Sequence, residues 1–116
     1  MISRIFRMKG WKCFAVKAEQ RIDAVNVNMD FVDAVVMDEC YSEIDSSEVD
    51  GLVQRIRKSH PEVVLVGLES STLLISHARA KTLDIVLSRP VGDKDVDNVS
   101  KACSGKTINA LLWCDF

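Results

Sequence analysis

No stretch of the 116-residue chain is apolar for long enough to cross a bilayer, so no membrane span is expected. Nor does charge of one sign dominate. Fifteen Lys and Arg against seventeen Asp and Glu leave a net charge of −2, which gives no basic field to hold nucleic acid or an anionic membrane. The four cysteines, Cys13, Cys40, Cys103 and Cys114, form no CxxC, and His60 and His77 lie far from any metal-ligand spacing. Reduced, partly buried thiols are the expectation, as for a cytoplasmic protein. The first ten residues carry Arg4, Arg7 and Lys9 among apolar side chains and lack the core of a signal peptide. No internal repeat or low-complexity segment is visible. Length fits one domain over 1–116 and leaves no room for two.

What is present is an alternation of short β-branched runs with amphipathic stretches. Met1 to Met8 has helical spacing, with Ile2, Ile5 and Phe6 on one side and Arg4 and Arg7 on another, and Gly10 ends it. Cys13 to Val16 reads as a short strand, and Glu19 to Met29 as a helix with Ile22, Val25 and Met29 on one face. Ala34 to Met37 is a continuous apolar run ending in Asp38, as suits a central parallel strand covered on both faces. Glu39 to Asp50 is too polar for core and reads as a loop, with a lid or partner contact as its functional reading. It leads into a helix whose stripe is Val49, Leu52, Val53 and Ile56, stopped by Pro61. Val63 to Leu68 is a second buried strand, Thr72 to Leu83 a helix, Ile85 to Leu87 a strand closed by Arg89 and Pro90, and Lys94 to Cys103 a last helix before Gly105. Ile108 to Cys114 is a final apolar strand. The expected fold is therefore α/β, a doubly wound parallel sheet of five strands in three layers, of flavodoxin-like type.

In such sheets ligands gather at the carboxyl ends of the strands. That rule selects Asp38, Glu69 with Ser70, Arg89 and Asp115. Strands often end in Asp because a turn follows. Carboxylates with a cation from a neighbouring strand, however, also suit Mg2+ and a phosphoryl group, since Mg2+ takes hard oxygen ligands and offsets phosphoryl charge. Aspartyl phosphate is a known type of covalent intermediate.

These residues carry a resemblance. Asp33 to Asp38, Asp50-Gly51-Leu52 with Arg55-Ile56-Arg57, His60-Pro61-Glu62 before Val63 to Leu68, Leu87-Ser88-Arg89-Pro90-Val91, and Gly10-Trp11-Lys12-Cys13 occur in the order seen in receiver domains of two-component response regulators. The chain resembles a divergent receiver domain, such as one carried by a hybrid histidine kinase. The resemblance implies a phosphorelay module, not a turnover enzyme. Asp38 would accept a phosphoryl group from a histidine kinase or phosphotransfer protein, and Mg2+ would lie on Asp38, Asp115 and the backbone carbonyl of Cys40. Arg89 would stand where the family has a lysine, and Glu69 or Ser70 where it has a hydroxyl. The implied output face runs from Thr72 to Cys103. The departures are the Glu69 charge, the guanidinium of Arg89, Val86 at the family's switch aromatic, and a longer loop after Asp38.

The family's first strand has no counterpart at the amino end. Ile108 to Cys114 is the only strand without a place, and it ends in Asp115. An empty central slot would expose two strand edges. We therefore expect this segment to fill it, as after a circular permutation or strand exchange. Otherwise it would be an edge strand, or would pair with a second molecule in a homodimer. In the central slot, Cys13 and Cys114 would lie at opposite ends of neighbouring strands and form no disulfide. Two other readings stand beside the phosphoacceptor: a degenerate receiver that binds partners without phosphorylation, and a flavin- or cobalamin-type cofactor domain. The last has few aromatics near the strand ends, only Tyr41, Trp113 and Phe116. Ser104-Gly105-Lys106-Thr107 is not read as a phosphate loop, because its order is helix then strand. His60 reads as a capping or surface residue, and His77 as a helix residue without a partner in sequence.

Overall fold

The computed structural model describes residues 2–17, 29–38, 46–69, 80–103 and 108–114. The elements are α1 (Ile2–Met8), β1 (Lys12–Lys17), a 3-10 turn (Met29–Phe31), β2 (Ala34–Asp38), α2 (Ser46–Ser59), β3 (Val64–Glu69), β4 (Ile85–Ser88), α3 (Asp93–Cys103) and β5 (Asn109–Cys114). The five strands form one parallel sheet in the order β1-β5-β2-β3-β4. Counting from β5 as first turns this into 2-1-3-4-5, the flavodoxin-like order. The carboxyl-terminal strand thus fills the slot between β1 and β2 and pairs within its own chain, with Ala110 opposite both Cys13 and Ala34. Cys13 and Cys114 lie four residues apart in register, roughly 13 Å at the rise of a strand. That separation cannot be bridged.

Side-chain alternation divides the core into two layers. Val35 and Met37 of β2, Leu65 of β3 and Leu111 of β5 face Leu52, Val53 and Ile56 of α2. Ala34, Val36, Val64, Val66, Leu68, Ala110 and Leu112 face Phe6 of α1 and Val96 and Val99 of α3. The stripe read from the sequence for α2 is the buried one at Leu52, Val53 and Ile56, while Gln54, Arg55 and Lys58 are exposed.

Local chemistry sets the helix ends. At the end of α1, Trp11 N–H donates to Phe6 O (3.2 Å) and Gly10 N–H to Arg7 O (3.0 Å), with Gly10 at φ 85°. This is a Schellman cap, and its apolar contact is the stack of Phe6 on Trp11, with centroids 4.7 Å apart. Trp11 Nε1 donates to Ser100 Oγ (3.2 Å) and Lys9 pairs with Asp97 (3.4 Å), so the cap also fastens α1 to α3. At the start of α3, Gly92 N–H donates to Asp95 Oδ2 (2.9 Å), half of a capping box. The Arg89–Pro90 peptide between β4 and α3 is cis.

Some boundaries differ from the sequence reading. Ser46 to Asp50 belong to α2, not to the acidic loop, because the apolar spacing from Val49 recruits the preceding turn. The helix expected to reach Leu83 ends at Ala80, where Lys81 and Thr82 turn the chain so that Leu83 enters the α2-side core. Met29 opens a 3-10 turn and does not close an α-helix. The expected helical residues 19–28 and 72–79, the loop 39–45 and Ser104 to Thr107 lie outside the described residues.

Asp33 fastens β5 where it enters the sheet. Asn109 N–H donates to Asp33 Oδ2 (2.8 Å), and Asp33 N–H donates back to Asn109 O (2.8 Å). Asp33→Ala leaves a backbone donor unsatisfied and is expected to cost about 1–3 kcal/mol in urea unfolding, while Asp33→Asn, which keeps an acceptor, costs less. Equal stability of Asp33→Ala and wild type would refute this role. Gly10→Ala forces an L side chain into positive φ, and its unfolding midpoint should fall by the equivalent of about 1 kcal/mol.

Candidate functional site

Of the residues singled out from sequence, the carboxyl edge of the sheet carries Asp38, Glu69 and Arg89. Asp38 is the last residue of β2, paired with Leu68 of β3. Glu69 ends β3 opposite Ser88 of β4, and Ser88 Oγ donates to Glu69 Oε1 (3.2 Å). Arg89 follows directly, and its N–H donates to Glu69 O (2.9 Å). Glu69 is half-buried, whereas Ser88 and Arg89 are exposed. The fold therefore brings Asp38, Glu69 and Arg89 to one edge, on three consecutive strands. Of the two residues weighed for the position after this strand, Glu69 is described, as the last residue of the ladder, and Ser70 is not. Ser70, Cys40 and Asp115 lie outside the described residues, as do His77, Tyr41 and Phe116.

β5 lies beside β2 with Trp113 opposite Met37, so its last residue, Cys114, ends next to Asp38. In the flavodoxin-like order the ligand crevice opens between the first and third strands, which here are β5 and β2. Hard-oxygen carriers end both β2 and β3, a donor chemistry that suits Mg2+. Among the described residues there is no group of three or more His, Cys, Asp or Glu able to hold a metal ion. His60 lies at the end of α2, where its N–H donates to Ile56 O (2.7 Å) and its Nδ1 is 3.6 Å from Asp30. Its side chain is half-buried there.

Two carboxylates that the sequence reading passed over lie at the opposite, amino edge. Asp33 precedes β2 and binds Asn109 of β5, as described above. Asp84 precedes β4 in the same way. Leu65 N–H donates to Asp84 Oδ2 (2.8 Å), Asp84 N–H donates to Leu65 O (2.9 Å), and Arg57 Nη2 lies 2.9 Å from the same carboxylate. The signal was present: an aspartate stands directly before each of the apolar runs Ala34 to Met37 and Ile85 to Leu87.

The two described cysteine side chains are free and half-buried. Burial pushes the Cys103 thiol up to about 11, reinforced by the negative charges of Asp33 and Asp84. Burial also raises Cys13, against the opposing pull of Arg7. A raised thiol pKa favours the folded state below the unfolded value of 9.0, and this contribution is lost as pH climbs towards 11. Iodoacetamide at mildly alkaline pH should therefore modify Cys103 at least roughly tenfold more slowly in the folded chain than in urea, as peptide mapping would show. Equal rates would rule out this suppression of the thiolate.

Comparison of the chain with protein-family models, with curated proteins and with solved structures finds no match in any of the three.

Proposed function

We propose that the chain is a receiver-like signalling domain in which Asp38 accepts a phosphoryl group. The observation that carries this reading is the seat of β5 between β1 and β2, which leaves β5 and β2 ending side by side at Cys114 and Asp38. Asp115 follows Cys114 in the chain and lies outside the described residues; in this reading it supplies a second carboxylate to the site of Asp38. In this reading the family's first strand has moved to the carboxyl terminus.

The Asp38 carboxylate attacks phosphorus of a phosphohistidine on a histidine kinase or phosphotransfer protein. An O–P bond forms, the N–P bond breaks, and the imidazole leaves with a proton. Asp38, Asp115 and the Cys40 carbonyl would hold Mg2+, which when bound offsets charge on the phosphoryl oxygens. Arg89 supplies a cation just after the end of β4. The output face is β4 with α3 and the segment from Thr72. Phosphorylation biases that face by a shift of population.

A second reading, a degenerate receiver that binds its partner without phosphorylation, is favoured by Glu69. Its carboxylate stands at the end of β3, held by Ser88 Oγ, at or next to the position where the resemblance sets a neutral hydroxyl. Negative charge there opposes an incoming phosphoryl group.

Intact-mass spectrometry after acetyl phosphate and Mg2+ tests the first reading. The expected result is a gain of one phosphoryl group that disappears in Asp38→Asn. Divalent-metal affinity measured by calorimetry should fall in Asp115→Asn. No mass gain with either acetyl phosphate or a panel of phosphorylated donor proteins decides for the degenerate reading.

A further inference from the structure

The amino edge carries a feature that the proposed phosphoryl chemistry does not use. Between the second half of α2 and the turn that leads into β4 lies an open cleft of about 630 Å3, lined by Val53, Gln54, Arg57, Lys58, Lys81 and Thr82. Three of these six residues are cations, contributed by two separate elements. Arg57 is fixed in place: its Nη2 donates to Thr82 O (3.0 Å) and pairs with Asp84 Oδ2 (2.9 Å), so its charge is largely offset. Lys58 and Lys81 are exposed, and neither forms an ion pair among the described residues.

Each lysine stands at the carboxyl end of a helix, where a cation complements the carbonyl groups. That explains a lysine at each place but not the convergence of both on one cleft. The positive charge is local, because the whole chain carries a net charge of −2. The cleft falls within the size range of roughly 300–1,000 Å3 typical of ligand sites, which exceeds what one small anion fills. Its walls also offer carbon surface along the lysine stems, whereas Val53 at its base is almost fully buried.

We propose that this cleft docks an acidic peptide segment of a partner protein. Carboxylates of the segment lie between Lys58 and Lys81, and an apolar side chain rests against the lysine stems. Arg57, braced by Asp84 and Thr82, keeps the floor rigid. The cleft is at the end of the sheet opposite Asp38, so a partner held here leaves the carboxyl edge open. Charge complementarity in such a site acts mainly on encounter and selectivity.

The test uses the full chain and a short fluorescein-labelled peptide of glutamate pairs separated by leucine, read by fluorescence anisotropy. Wild type is expected to bind it, and a glutamine version of the peptide is expected not to bind. The Lys58→Glu/Lys81→Glu variant should bind about tenfold more weakly. The Lys94→Glu/Lys101→Glu variant, which makes the same charge change on α3, should bind like wild type. Absence of binding, equal weakening in both variants, or displacement by inorganic phosphate as effective as by unlabelled peptide would each overturn the proposal. A cleft variant that melts early would be replaced by amide chemical shifts of the wild-type chain. Peptide-induced shifts at Gln54, Lys58, Lys81 and Thr82 support the cleft, and shifts confined to other residues overturn it.

Discussion

Asn109 is held by Asp33 through both of its peptide groups, the N–H by the carboxylate and the carbonyl by the Asp33 N–H. Lys12 N–H donates to Ile108 O (2.8 Å) from the other side, and Val64 N–H donates to Asp33 O (3.0 Å). These bonds join β1, β5, β2 and β3 where they enter the sheet. A parallel ladder has no hairpin to set its register, so the pairing must be fixed by side chains and by contacts at the strand ends. A slip of one residue would turn Leu111 away from α2 and move Ala110 and Leu112 off the α1–α3 layer. The two-layer core therefore depends on where Asn109 is fastened.

Asp84 repeats the device two strands away. It holds Leu65 by the same pair of bonds, with Arg57 from α2 set against its carboxylate. Carboxylates thus serve two ends of the sheet in different ways. At the amino edge they take backbone N–H groups and hold strands together. At the carboxyl edge Asp38 and Glu69 end neighbouring strands, where the crevice of this strand order opens. The same division separates the phosphoryl chemistry proposed for Asp38 from the peptide docking proposed beside Arg57.

The helices couple these edges to the core through buried side chains. α1 is only seven residues long, too short to be stable alone, yet Phe6 is fully buried and stacks on Trp11 across the Schellman cap. Trp11 then reaches Ser100 on α3, which precedes β5. The chain that delivers the central strand is thereby tied to the amino-terminal helix, so both ends of the sequence meet on one face of the sheet.

The sequence by itself determined the alternation of elements, the buried stripe of α2, the apolar runs of β2, β3 and β5, and the place of Asp38 at a strand end. Each rests on periodicity or on a turn residue, which are local properties of the chain. An unassigned apolar strand with a costly vacancy in the sheet also pointed to the seat of β5. Only the tertiary structure decided what pins that seat. Asp33 and Asn109 are 76 residues apart, and nothing in the local pattern distinguishes a carboxylate that accepts a distant N–H from one that faces solvent. The same holds for the Lys58–Lys81 cleft, which exists because the chain turns after Ala80 against the last turns of α2. That Ser88 Oγ reaches Glu69 also follows from the pairing of β3 with β4, not from the local sequence. Strand pairing, not composition, decides which charges share an edge.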